Sequence, residues 1–168
     1  MIPLNVETRV GPRVDFLVRR LTEEGAALLA QLDAVASETW GAPVYPAAEG
    51  AWTIHSILAH LVSAEGYIRL MMADIIAGGP GAPPGVDVHA INATEVASLS
   101  AFSPAALIAR LRDSRAATIA MVTAFSDDDL DRQGNHPLLG QMALEDFVKL
   151  IYRHNKMHMR DVQHALKP

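Results

Sequence analysis

Cysteine is absent from the 168-residue chain, which excludes disulfides, thiolate metal ligands and a cysteine nucleophile. A basic excess is absent as well. Fourteen Lys and Arg against 19 Asp and Glu leave a net charge of −5, the wrong sign for gripping a phosphate backbone, so no nucleic-acid partner is expected. No apolar run reads as a membrane span, because residues 54–77, the most apolar region, are interrupted by His60, Glu65, Arg69 and Asp74. The opening MIPLNVETRVGP lacks the basic-then-apolar layout of a signal peptide, and a cytoplasmic protein is expected. There is no nucleophile elbow, phosphate loop or dinucleotide fingerprint, no internal repeat and no low-complexity tail. Apart from short irregular pieces, the alternating pattern of β-strands is missing too.

What is present is helical periodicity. Pro12 stands at a first helical position, and Val14, Val18, Leu21, Gly25, Leu28, Leu32 and Val35 follow at steps of three and four. Gly41, Pro43, Pro46 and Gly50 mark a loop, after which Thr53 can cap a second helix with Trp52 as a hydrophobic staple on Ile57. That helix carries the stripe Ile54, Ile57, Leu61, Ala64, Ile68, Met71 and Ile75, and stops at Gly78-Gly79-Pro80. Residues 87–99 suggest a short helix. Ser103-Pro104 opens a third long helix through Leu107, Leu111, Ser114, Thr118, Met121 and Phe125. Residues 134–140 read as loop, and a fourth long helix begins near Ala143. The expected fold is all-α: one domain over residues 1–168, built as a four-helix bundle with a short extra helix in the second connection. A chain of this length can bury a core without staples.

The chemistry lies in the histidines. His154 and His158 are four apart, about 40° around a helix axis, a spacing at which two imidazoles can hold one metal ion. They continue the apolar stripe of Leu144, Phe147, Ile151, Val162 and Ala165, so their ring nitrogens need partners inside the bundle. His60 lies about 60° from the centre of the second helix's stripe and can face the same interior, whereas His55 and His164 project away from theirs. His89 and His136 fall in or beside loops, where an exposed polar role is expected. Three neutral imidazoles suit Zn or Ni, then Fe(II) or Co, and leave positions free for water or substrate. The alternative is that they are core histidines hydrogen-bonded to backbone or to Glu65, Asn92 or Asp161. That is the commoner fate of a single buried histidine.

Four local patterns resemble the DinB/YfiT-like superfamily of metal-binding four-helix bundles. They are Trp52-Thr53-Ile54 leading to Ala59-His60-Leu61 and Glu65; Asp87 to Val96 around Asn92; His136-Pro137-Leu138-Leu139-Gly140; and the closing His154…His158 helix. The resemblance implies an up-down-down-up bundle with a three-histidine metal site at His60, His154 and His158. It also implies an activity of the kind found in thiol-dependent transferases and in a mycothiol-dependent maleylpyruvate isomerase. One departure is that Gln141-Met142-Ala143 stands where relatives often place Thr or Ser to cap the last helix.

Among other polar residues, Glu65 could be a general base at a pocket edge or a helix-flank carboxylate paired with Arg69. Asp161 could orient an imidazole or form a salt bridge. The run Asp127-Asp128-Asp129 reads as a solvated turn, and residues 78–85 as a connection or a pocket lid. The expected function is a metal-dependent transferase or hydrolase acting on a small molecule, with a low-molecular-weight thiol as cosubstrate. Its rival is a non-catalytic bundle that binds metal or ligand. Half of the residues are apolar, more than one bundle core needs, so a homodimer is expected.

Overall fold

The computed structural model describes residues 11–45 and 52–167; the N-terminal stretch and the loop markers Pro46 and Gly50 lie outside them. Four long helices dominate: α1 (Pro12–Asp33), α2 (Ile54–Ile76), α4 (Pro104–Thr123) and α5 (Leu144–Ala165). A shorter α3 (Val88–Leu99) lies in the connection between α2 and α4. Each long helix packs on two others, α1 and α2 both against α4 and α5, giving the up-down-down-up bundle. No helix among the described residues is long and apolar enough to cross a membrane.

The start signals act as their residues suggest. Thr53 and Ser103 accept from the amides of Ser56 and Ala106, and Asp87 does the same for α3 through Ala90. Helix α1 begins at Pro12 with no cap of its own. Asp127, far along the chain, accepts from the Arg13 and Val14 amides at 3.2 and 3.0 Å. The acidic turn is therefore more than a solvated run, because its first member closes the end of α1. Helix α5 has Ala143 at its N-cap and no side-chain cap, and the Leu144 amide takes the Arg132 carbonyl instead.

Two details depart from the periodicity. In α1 the buried face runs through Leu17, between Val14 and Leu21, and leaves Val18 only half-buried. Residues 133–143 are not plain loop. Strands β1 (Gln133–His136) and β2 (Gly140–Ala143) pair antiparallel, with His136 opposite Gly140. Gly140 has φ +72°, a conformation that costs a residue with a Cβ about 1–2 kcal/mol. The hairpin also pins the 78–85 loop: Ala82 donates to the Asn135 carbonyl and Asn135 donates to that of Pro80. That loop is a fastened connection.

The core is divided in two. One apolar cluster holds Leu17, Leu21, Ile68, Met72, Val122, Phe147 and Ile151, and the other Leu28, Leu32, Leu58, Leu61, Leu107, Leu111 and Met159. Between them lies a buried polar layer to which every long helix contributes. Arg115 on α4 donates to both oxygens of Glu65 on α2, at 2.8 and 3.0 Å, and to the Leu21 carbonyl of α1 at 3.0 Å. Thr118 Oγ1 adds a bond to Glu65 at 2.9 Å. The amide orientation that satisfies the neighbours of Asn155 has its oxygen accepting from Arg115 at 2.7 Å and its nitrogen donating to the Ile151 carbonyl. Gly25 leaves room for this arginine, since a Cβ there would lie 2.7 Å from Arg115 Nη1.

Candidate metal centre

His60 comes from the second turn of α2, and His154 and His158 from adjacent turns of α5, which packs against α2. Nε2 of His154 lies 3.1 Å from Nε2 of His60 and 3.0 Å from Nε2 of His158. Three ligand nitrogens at about 2.0–2.1 Å from one ion would be separated by about 2.9 to 3.4 Å, so the cluster has the dimensions of a coordination site. Among the described residues it is the group whose side chains could hold a metal ion.

The hydrogen bonds around His158 determine which nitrogen is bare. Tyr45 Oη donates to Asp161 Oδ2 at 2.8 Å and lies 3.0 Å from His158 Nδ1. With its proton directed to Asp161, the phenol oxygen accepts from His158 Nδ1–H, and Nε2 is left with its lone pair toward the other imidazoles. His60 is held differently. Trp52 packs its ring 4.9 Å from the His60 ring, and His60 Nδ1 is buried without a hydrogen-bond partner among the described residues.

Electrostatics keep these rings neutral. Burial, with His158 nearby, lowers His60 to about 4. His154 falls to about 3, first through burial and then through the neighbouring histidines. His158 is also lowered by burial, with Asp161 pulling the other way. Neutral imidazoles with converging lone pairs are the donor set that binds a borderline divalent cation without proton competition at neutral pH.

The cluster opens into a cavity of about 1160 Å³. Its walls are mainly apolar, including Val62, Ile91, Leu138, Leu139, Leu150 and Met157, with Arg69 and Arg153 among the charged residues. Asn92, on α3, lines it, whereas Asp161 is joined to His158 by hydrogen bonds through Tyr45. Glu65 is elsewhere. Instead of edging the cavity or pairing with Arg69, it is engaged by Arg115 and Thr118 in the polar layer, while Arg69 bonds to Ser114. His55 bonds to the Phe102 carbonyl and His164 is exposed, both away from the cluster.

Tyr45 and His136 are the site residues that periodicity does not reveal. Tyr45 belongs to no helix. His136 is not the exposed loop residue expected of it: it is half-buried at the end of β1, lines the cavity and is lowered by burial. Its place in the His-Pro-Leu-Leu-Gly turn is the one sequence signal that could have singled it out.

Comparison with known proteins agrees with the fold. The family model of the DinB superfamily matches residues 20–162. No curated protein sequence matches the chain. Among solved structures, YfiT from Bacillus subtilis, described as a probable metal-dependent hydrolase with an unusual four-helix bundle topology, superposes with a TM-score of 0.72. It is 19% identical, over 98% of this chain and 91% of that one. A mycothiol-dependent maleylpyruvate isomerase also gives 0.72 at 19% identity, covering 88% of this chain but 60% of the isomerase. The colibactin self-resistance protein ClbS, solved in complex with a double-stranded DNA, gives 0.66 at 14% identity, over 92% of this chain and 97% of that one.

Proposed function

Because the chain belongs to the DinB superfamily and gathers three imidazoles at a large cavity, we propose that it is a metal-dependent enzyme acting on a small molecule. The observation that carries this reading is the trio of Nε2 atoms, 3.0 and 3.1 Å apart in sequence along the cluster, opening into that cavity. His60, His154 and His158 would hold a divalent ion, zinc or nickel before iron or cobalt given an all-nitrogen donor set. When bound, the ion supplies Lewis acidity and favours the deprotonated form of a thiol or water. The protein's own residues do the rest. Tyr45 fixes the His158 tautomer, the mainly apolar walls favour an apolar substrate, and Asn92 and His136 offer polar contacts in the cavity.

The reaction class is a thiol-dependent transfer or a hydrolysis. The absence of cysteine means that any reacting sulfur must arrive with a ligand. A non-catalytic metal-binding bundle is the rival, and a cavity large enough for a substrate favours the enzyme. The acidic net charge stands against a nucleic-acid partner, although one structural relative was solved with DNA. A homodimer belongs to this reading. Exposed Leu70 and Phe16 provide apolar surface for it, and light scattering that finds only monomer at micromolar concentration would remove it.

The decisive experiment is plasma emission spectrometry on wild type and five alanine variants, followed by transfer assays with several low-molecular-weight thiols. His60→Ala, His154→Ala and His158→Ala should each lose most of the metal, with helical content unchanged. His55→Ala and His164→Ala should keep it. Equal metal in all six proteins, or none in wild type from metal-replete cells, would refute the centre.

A further inference from the structure

The hairpin turn holds another histidine of the same cavity in one fixed state. His136 Nδ1 accepts from the amides of Leu138 and Leu139, both at 3.2 Å. A neutral imidazole that accepts at Nδ1 carries its proton on Nε2. That Nε2–H has no hydrogen-bond partner among the described residues and is not among the buried unpaired atoms, so it is an accessible donor on a residue that lines the cavity. Phe147, its ring centroid 6.0 Å away, supports the imidazole from the core side. The pairing of β1 with β2 and the left-handed Gly140 hold the turn that supplies the two amides.

Around this donor the surface is mainly apolar. Leu138 and Leu139 follow it directly, both well exposed at the cavity's edge, and Ile91, Leu150 and Met157 belong to the same mainly apolar lining, with Arg69, Arg153, Glu95 and Asn92 among its polar members. A mainly apolar cavity in which the turn holds a neutral donor in a fixed orientation selects for largely apolar molecules that carry an acceptor. A partner that fails to accept leaves the N–H dry and unpaired.

We propose that His136 is a specificity-determining residue that donates from Nε2 to a carbonyl oxygen of a largely apolar substrate. The inference rests on the reading of this cavity as the place where substrate sits. It adds the chemical class of that substrate and the residue that selects it. His136 is set apart from the three clustered histidines because its Nδ1 serves the turn and only its other nitrogen faces outward.

The test uses two probes of nearly equal shape, 2-acetylnaphthalene and 2-ethylnaphthalene, titrated calorimetrically into the full-length protein with and without chelator. Wild type should bind the ketone about three- to tenfold more tightly than the hydrocarbon, the range of a single neutral hydrogen bond. The preference should persist in chelator, since His136 and not an ion provides it. In His136→Asn the amide oxygen can still accept from the turn amides, but nothing replaces Nε2–H, so the preference should vanish. In His136→Gln an amide N–H near the Nε2 position should restore part of it. Helical content and melting temperature of both variants establish that the turn survives. Equal binding of the two probes, binding of neither, or a preference that outlives His136→Asn would each overturn the proposal. Metal content, measured on the same samples, reports separately on the three-histidine centre, so failure of one reading is distinguishable from failure of the other.

Discussion

Tyr45 and His158 are joined through a single oxygen that also serves Asp161, so the phenol passes the influence of a carboxylate onto an imidazole it does not touch. A direct carboxylate contact would draw the ring toward the imidazolium. The interposed phenol orients the ring and marks Nδ1 as the protonated nitrogen, while burial keeps the ring neutral.

Tyr45→Phe should therefore weaken metal binding without disturbing the bundle. Loss of such an outer partner lowers affinity by roughly 10- to 100-fold. Competition with a chromophoric chelator measures this. An affinity equal to wild type would show that the tyrosine plays no part in orienting the ligand.

The buried pair of Glu65 and Arg115 predicts a contrast between single and double variants. Glu65→Ala leaves the guanidinium buried without its main partner and should cost about 3–5 kcal/mol. Replacing both with apolar residues, as in Glu65→Leu with Arg115→Met, should cost much less than the sum of the single changes. Urea unfolding of wild type, Glu65→Leu, Arg115→Met and the double variant gives the coupling. Additive effects would contradict the geometry. Gly25→Ala tests the same layer from α1: helix propensity favours alanine by about 1 kcal/mol, yet the new methyl must displace Arg115, so a net loss is expected.

Acid should destabilise the metal-free protein. His60 and His154 titrate near 4 and 3 in the fold, against about 6.5 in an unfolded chain. Above pH of about 6.5 neither state takes up protons at these sites. Below it the unfolded chain does and the folded core does not, so stability falls until the folded values are passed. At a pH of about 5 the loss is about 2 kcal/mol for each of the two histidines. Urea unfolding in chelator at neutral pH and at a pH of about 5 should show it, and His154→Leu should show less. Equal stability of wild type at both values would mean that these rings are not held neutral.

How much of this was legible in the sequence follows from what periodicity encodes. A helix stripe is a one-chain signal, so the four long helices and the inward direction of His60, His154 and His158 could be read directly. Contacts between helices leave no such trace. Glu65 and Arg115 are fifty residues apart, and within α2 the only visible partner for Glu65 was Arg69, four residues on. The hairpin leaves no strand signal in the sequence because its strands are four residues each and contain Gln133, Gly134 and Asn135 where β-branched residues would mark them. Tyr45 lies outside every periodic segment, so nothing in its neighbourhood announces its bond to a helix more than a hundred residues away.

The polar layer has a consequence for alignment. Sliding α2 against α4 by one turn, about 5.4 Å, would part Arg115 from Glu65 and leave both charges unpaired in hydrocarbon, and sliding α1 or α5 would cost Arg115 its bond to Leu21 or Asn155. Uniform apolar stripes would permit such neighbouring registers at little penalty; a salt bridge shared across α2 and α4, anchored to α1 through Leu21 and to α5 through Asn155, does not. The distance between His60 on α2 and His154 on α5 is meaningful only in the one register this layer accepts. Residues that touch no metal thus act as the ruler that sets the spacing of those that could.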